Sequence, residues 1–526
     1  MTKYLIKRIL RALLSVVLVV AVIMIMVYAC LDRQAIFGSD PNYPKMLNNK
    51  RYTYMMSQWE KFGYLDYIPY ADFLTAEYKA GNITEEEMKA ASTIGATAEK
   101  DSEATAKMVA LFMDKYDNKD GYKVERHDGL VKIGTVKYKE GGQPALYAYK
   151  DIPLTKRLVN YFTGLLKVDN IHNVEEITGE RGLTFTWFDP VYGGEKFSPA
   201  IMGNGTTHKY LLYFDDQFPF IHQNLVTVNL GLSFSINNGI DVFSTMTDAQ
   251  GPQKKATITY PSGVVEETAD NLHSLVHVPG SLQTGGELTQ RYYVDDYTGV
   301  TTMKSGMSQM GYSFVIGIIS VFLAYLLAVP LGITMALNKD KLIDKLGTFY
   351  IVFIMAVPSL GYIFIFRAIG SLMKLPTTFN MQTPTWLMYV LPVISLALPS
   401  VANLMKWLRR YMIDQMNADY VKFARSGGLS ESQIFTKHVL KNAIIPIVHG
   451  IPGSVLGALT GAIITERVYM VPGIGNVLTE AINKYDNGVI VGVALFYALL
   501  SVTSFILGDV LMSMMDPRIS FTSKQR

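Results

Sequence analysis

Catalysis in this chain would have to come from a few groupings of residues, and most of them fail on spacing. No Gly-x-Ser-x-Gly elbow and no His-Glu-x-x-His pair occurs, which removes the usual support for a serine hydrolase or a zinc protease. There is no Gly-x-x-x-x-Gly-Lys-[Ser/Thr] and no Gly-Lys pair, so no loop of that kind cradles ATP phosphates. His127, His172, His208, His222, His273 and His277 lack metal-ligand spacing and read as scattered surface residues. Asp114 to Asp128 is rich in oxygen ligands. Setting Gly121 sixth in a calcium loop, however, puts Tyr116 first and His127 last, where acids are needed, so a solvated turn is expected. No catalytic residue, metal or bound cofactor is therefore expected.

What survives is mechanical. From Asn417 to Pro446 the chain reads as helix, break, helix: Tyr420, Val421 and Ala424 form a short apolar face, Gly427-Gly428 stops it, and Ser430 is placed to cap a second helix over Glu431 to Leu440. A short amphipathic helix of this kind fits the groove of another protein. The plain alternative is a surface connector, which periodicity alone favours.

The elements that position this stretch are apolar. The chain has 526 residues, 49% hydrophobic and 18% charged, against roughly 25% charged in soluble proteins. Uncharged runs long enough to cross a bilayer are Ala12 to Leu31, Ser305 to Asn338, Leu346 to Phe366, Leu375 to Met405, Asn442 to Thr465 and Asn487 to Gly508. Gln217 to Ile240 is also uncharged, but Val226, Val228, Leu230, Leu232, Phe234 and Ile236 alternate with polar or small residues. That pattern reads as a half-buried strand, not a span. Six transmembrane helices are expected.

Charge gives the orientation. Asp32 to Lys304 holds 27 Lys+Arg and 35 Asp+Glu, a net of −8, and with +3 overall the remainder nets +11. Lys3, Lys7, Arg8 and Arg11 precede span one, Lys339, Lys341 and Lys345 follow span two, Lys406 to Lys441 separates spans four and five, and Arg518, Lys524 and Arg526 follow span six. These are alternate loops, so the positive-inside bias puts both termini and the 406–441 loop in the cytoplasm and 32–304 outside. The expected divisions are thus 1–31, an outer domain 32–304, a bundle 305–515 and a cytoplasmic tail 516–526. The single cysteine, Cys30, leaves the outer domain without an internal disulfide. Val27 to Cys30 has some likeness to a lipoprotein signal, but Tyr28 and the length of the apolar run favour an uncleaved anchor.

In the outer segment Lys45 to Lys61 and Thr84 to Tyr116 suit helices, and Val131 to Tyr138, Leu183 to Phe188, Leu211 to Phe214 and Ala256 to Tyr260 suit strands, an α+β domain. Within the bundle Gly453, Gly457 and Gly461 recur every fourth residue, a stripe that permits close helix packing, more readily within this chain than against a partner. Pro330, Pro358, Pro392, Pro399, Pro446 and Pro452 interrupt helices as membrane bundles tolerate. Arg367 is placed to snorkel to an interface, and His449 reads as a packing residue.

The string Asp419-Tyr420-Val421, Ala424-Arg425, Gly428-Leu429-Ser430, His438, Leu440, Asn442-Ala443 and Pro446 resembles the cytoplasmic coupling loop of ABC importer permeases, in the form of the oligopeptide and dipeptide branch. Tyr4 to Leu10, Asn160 to Leu166, Asn229 to Ser233, Glu466 with Val471 to Gly475, and Asp516-Pro517-Arg518 are similar to other parts of that family, in order. Where the general family loop begins Glu-Ala-Ala, this chain has Lys422, Phe423 and Ala424, which suits the peptide branch. The large outer insertion resembles that of the Ami/Opp-type permeases of streptococci and their relatives.

The resemblance implies the type I importer permease fold, a second permease subunit completing a heterodimer, two cytoplasmic ATPases that bind ATP and Mg, and an extracellular peptide-binding lipoprotein. It implies a bacterial, Gram-positive cell membrane. It assigns Ala424, Gly428, Leu429, Ser430, Glu431, Ile434, Phe435 and His438 to contact with an ATPase. Alternatives left open are a membrane-anchored receptor or adhesin, an exporter or lipid-handling permease, and an importer of another solute such as nickel. The outer domain is read as a docking platform for the lipoprotein or as a structural collar.

Overall fold

The computed structural model describes the chain except residues 1, 47, 129–130, 134–135, 139–143, 216–219, 271, 300–304 and 516–526. The Asp516-Pro517-Arg518 match and the expected tail 516–526 lie outside the described residues. A long first helix, α1 (Thr2–Cys30), enters the bundle, where Val16, Val20 and Met24 pack into a core shared with the last helix.

The segment 32–304, expected outside the membrane, is α+β. It opens with α2 (Asn48–Lys61), β1 (Leu65–Pro69), α3 (Tyr70–Lys79), α4 (Glu85–Ala91) and α5 (Glu103–Tyr116), then β2 (Lys123–His127), the hairpin β3 (Val131–Ile133) and β4 (Val136–Tyr138), and β5 (Ala145–Asp151). Strands β1, β5 and β2 form an antiparallel sheet between two cores, one around Trp59 and Tyr147 and one around Phe73 and Phe112. The helix expected over Thr84 to Tyr116 divides. Thr84 caps α4 with a reciprocal Glu87 box, and Ser102 caps a fresh start for α5. Between them Asp101 receives the Gly95 N–H and both ends of the Arg126 guanidinium, at 2.9 and 2.6 Å.

Next come α6 (Leu154–Thr163), β6 (Leu166–Val168), β7 (Gly182–Thr186), β8 (Ala200–Asn204), β9 (Tyr210–Phe214), β10 (Ile221–Gln223) and β11 (Val226–Val228). Strands β7 to β10 make a four-stranded antiparallel meander, and β11 pairs with β6. Then follow α7 (Val242–Thr247), the hairpin β12 (Lys255–Thr259) and β13 (Val265–Ala269), β14 (Val276–His277), α8 (Ser281–Thr284), α9 (Glu287–Tyr292) and β15 (Tyr297–Thr298). One expectation about the histidines fails: His273 is 4% exposed, stacked on Tyr213 at 4.1 Å and flanked by Tyr192 and Tyr210. Burial among rings pushes its pKa down to about 4.

The strand expected over Val226 to Ile236 stops at Val228. The reason is a carboxylate. Fully buried Asp486 accepts the Ser233 hydroxyl at 2.7 Å and the N–H groups of Phe234, Ser235 and Ile236 at 3.0, 2.9 and 3.1 Å, so those donors are withdrawn from a ladder.

The rest is helical: α10 (Gln309–Leu337), α11 (Leu342–Ala356), α12 (Ser359–Leu372), α13 (Val390–Met416), α14 (Asp419–Ser426), α15 (Glu431–Ile434) running through a π-turn at Phe435–Leu440 into α16 (Lys441–His449), then α17 (Ile451–Tyr469), α18 (Ile474–Asn483) and α19 (Asn487–Met515). Among the described residues five helical stretches are long and apolar enough to span a membrane, six if α11 and α12 count as one. The third expected span is not straight, because α11 and α12 meet at 109°. Pro358 has no N–H and forces Val357 extended, which ends α11 at Ala356. The fourth begins later than Leu375, with α13 starting at Val390 after an irregular segment.

Candidate functional site

The stretch singled out from sequence forms a compact crest between α13 and α16. Helix α14 ends at Gly427, and Gly428 takes φ +81°, the left-handed conformation that reverses the chain at little cost only for glycine. Ser430 then accepts the Gln433 N–H while the Gln433 side chain reaches the Ser430 N–H, a closed capping box. Across the break the Arg425 guanidinium grips the Glu431 carboxylate at 2.6 and 3.0 Å, holding the two short helices at a fixed angle. That pairing lowers the Glu431 carboxyl and raises the Arg425 guanidinium.

The eight residues assigned to this surface divide in two. Gly428, Leu429, Ser430 and Glu431 are exposed. Ile434 faces inward, 2% exposed, in a core with Val421, Val439, Leu408 and Met412, with Ala424 and Phe435 half-buried against it. His438 is half-buried and lies 6.4 Å from the Tyr420 ring. Ile434 is thus a strut under the crest, not part of its outer face. The residue that sequence reasoning passed over is Phe423, 83% exposed midway along α14. Met416, Tyr420 and Leu429 are also exposed apolar residues of this stretch, which carries the exposed cations Lys422, Arg425 and Lys437 as well. The signal for Phe423 was present in the Lys422-Phe423-Ala424 departure.

Tyr325, Leu404, Tyr411 and Ile447, which belong to the core beneath this stretch, also line an open groove of about 540 Å³. Tyr325, Asn403, Trp407 and Ser454 line it, with Pro399 and Pro446 at its bends and Gly453 and Gly457 along one wall. A methyl group added at Gly453 or Gly457 would meet nothing within 4 Å, so within this chain these glycines face open space and do not pack a helix. Gly461 lies on the same helix, but its surroundings are outside the described residues. His449 is satisfied as expected, its Nδ1 at 2.8 Å from the Gly508 carbonyl oxygen.

At the other end of α17, buried Glu466 accepts the Ser313 hydroxyl at 2.6 Å and the Asn476 N–H at 3.1 Å, while Ser313 accepts the Ile474 N–H. The carboxylate so fastens the start of α18, where the helix dipole favours it. A Cβ at Gly473 would overlap the Glu466 carboxylate and one at Gly475 the Ile463 side chain, which accounts for both glycines in Val471-Pro472-Gly473-Ile474-Gly475. Among the described residues no cluster of His, Cys, Asp or Glu is arranged to hold a metal ion.

Residues 328–521, from the second half of α10 onward, match the family model described as the binding-protein-dependent transport system inner membrane component. Over the whole chain the sequence is 34% identical to the oligopeptide transport system permease protein AmiC of Streptococcus pneumoniae, covering 100% of this chain and 99% of that one. The dipeptide transport system permease proteins DppB of Lactococcus lactis and Bacillus subtilis are 28% and 29% identical over 42% and 40% of this chain, and 73% and 68% of their own. A solved amino acid ABC transporter aligns with 40% of this chain and 92% of its own at 18% identity and a TM-score of 0.32. With AmiC matching it along its full length, the chain belongs to the peptide branch of the binding-protein-dependent inner membrane components: it is a multi-pass permease subunit of an ABC transporter, without an ATPase site of its own.

Proposed function

We propose that this chain forms one half of the membrane pathway of an ATP-driven oligopeptide importer. It pairs with a second, different permease, two cytoplasmic ATPase subunits supply ATP and Mg chemistry, and an extracellular lipoprotein delivers the peptide. The observation that carries this is the exposed apolar surface of Tyr420, Phe423 and Leu429, carried by α14 and the turn after it and linked by the Arg425–Glu431 pair to the helical run that continues through α16 into α17. Such a surface fits a groove on a partner, and a push on it moves a membrane helix. ATP-driven closure of the ATPase pair supplies the push, and alternating access follows if each ligand favours one arrangement by a few kcal/mol.

The basic loops orient the chain with the crest, the termini and the ATPases inside and 32–304 outside. The groove beside Gly453 and Gly457 is the wall of the peptide path that the second permease completes. The outer domain is a docking platform for the lipoprotein, because it is inserted where that partner arrives; Asp486 and the close approach at Gly488 and Gly492 hold its inner edge against α19, as a structural collar would also require. The test of the assembly is purification from the native membrane in mild detergent. Two ATPases and a second permease are expected in the complex, and a lone homo-oligomer would overturn the reading. Removing Tyr43 to Glu140 is expected to abolish lipoprotein binding, and unchanged affinity and uptake would refute the platform.

A further inference from the structure

A second cavity, of about 490 Å³, opens where α1, α6 and α19 meet the outer segment. Its polar end is built around Arg157 on α6. The Arg157 guanidinium stands 4.4 Å from the Tyr64 ring and 5.4 Å from the Tyr28 ring, and its Nη2 donates to the Tyr64 carbonyl at 2.6 Å. Its Nε is buried with no partner, as are the Tyr161 hydroxyl and Asn487 Oδ1 in the same lining. Lys61 stands at the rim.

No carboxylate pairs with Arg157 or Lys61 among the described residues. Arg33 and Asp151 near by pair with each other, and Asp486, beside Asn487, accepts from five donors and contacts neither cation. The cavity therefore holds a half-buried guanidinium and, at its rim, an exposed ammonium, neither in direct contact with a carboxylate, together with spare hydrogen-bonding capacity, and a half-buried cation in that condition calls for an anion. Its other end is apolar: Met24 and Val491, one turn along α1 and α19 from Tyr28 and Asn487, with Leu230 packed against them. Tyr28 lies in the last turn of α1 and Asn487 begins α19, so the polar end sits at the level where the apolar helices stop.

From this we infer that the cavity binds the phosphate of an anionic phospholipid of the outer leaflet. Arg157 and Lys61 hold the phosphate diester, Tyr161 and Asn487 hold the glycerol or headgroup hydroxyls, and an acyl chain lies along Met24 and Val491. Basic pockets between transmembrane helices bind phospholipid headgroups in this way, and the volume is that of a small-molecule site. The leaflet rests on the orientation proposed above; the phosphate chemistry does not.

The test uses the intact complex, stripped of lipid in neutral detergent and offered phosphatidylglycerol or phosphatidylcholine, with bound lipid counted by mass spectrometry. Wild type is expected to retain phosphatidylglycerol over phosphatidylcholine, with retention falling about fivefold in Lys61→Gln and further in Arg157→Gln, about 1 kcal/mol per cation. Lys61 is exposed, so its variant reads the site even if Arg157→Gln fails to fold. Equal retention in wild type and Lys61→Gln overturns the proposal, as does equal retention of the two lipids. Displacement by millimolar inorganic phosphate overturns the lipid assignment in favour of a free-anion site. Orientation is read separately, by a membrane-impermeant maleimide on the exposed Cys30 of intact cells.

Discussion

Asp486 and Ser233 are joined by a 2.7 Å hydrogen bond across 253 residues of sequence, the hydroxyl donating to a carboxylate fully removed from solvent. The same oxygen gathers three consecutive backbone N–H groups, so the inserted segment is clasped to the loop between α18 and α19. Gly488 and Gly492 press against Leu232, Val242 and Leu230 beside it, where a Cβ would overlap. Asp486→Ala removes the acceptor and orphans buried donors at a cost of about 1–3 kcal/mol for each one left unpaired. Hydrogen exchange at Ser233 to Ile236 is expected to accelerate sharply, with exchange in α10 and α13 unchanged.

Gly428→Trp puts a large side chain at φ +81°, a strain of about 1–2 kcal/mol on an exposed turn. Membrane insertion and complex assembly survive, and peptide uptake with peptide-stimulated ATP hydrolysis is lost. Normal uptake by the variant would remove the crest from the coupling pathway.

Phe423→Asp leaves the fold untouched, since that ring is 83% exposed. It replaces the exposed ring by a charge, and ATPase retention on immobilised complex is expected to fall at least tenfold, about 1.4 kcal/mol or more, as for the loss of a buried aromatic anchor. Ile434→Ala should act differently: it opens the core under the crest and costs about 2–5 kcal/mol of thermal stability.

Asp344 and Arg409 form a bidentate pair, 2.5 and 2.6 Å, that ties the start of α11 to α13. Arg409→Met strands a buried carboxylate and is expected to cost about 3–5 kcal/mol, whereas the double change Asp344→Leu with Arg409→Met recovers most of that loss. A thermal double-mutant cycle in detergent checks this, and additive losses would contradict it.

His273 gives the outer domain an acid sensitivity. Its folded pKa, about 4, lies below the ordinary 6.5, so the unfolded state takes up the proton first as pH falls. Stability from neutral His273 is full above pH 6.5 and drains between about 6.5 and 4, by up to about 3 kcal/mol. The outer-domain melting temperature should drop over that window, and His273→Phe should flatten the drop.

The spans and the crest were legible in sequence because both depend on local signals: uncharged length, Gly427-Gly428, and Ser430 with Gln433. The family could be recognised for the same reason, since its motif is contiguous. The 109° turn was partly written in Pro358, but how sharply a proline bends a span depends on what lies behind it. Neither the shortened strand at Val228 nor the burial of His273 could be read, because each is decided by a distant group: Asp486 in one case, and Tyr192, Tyr210 and Tyr213 in the other. Nor could the division of the 424–438 residues into exposed and buried be read, since Ile434 turns inward only once Leu408 and Met412 are beneath it.

The groove along Gly453 and Gly457 is lined by α10, α13, α16 and α17 and is open to the outside. If it is the proposed half of a path completed by a second permease, a solute there touches both chains, and no substitution in this wall defines selectivity alone. Changes at Asn403, Trp407 or Ser454 should instead be corrected by second-site changes in a different gene, and the search for what this pathway admits is a search for matched pairs of residues.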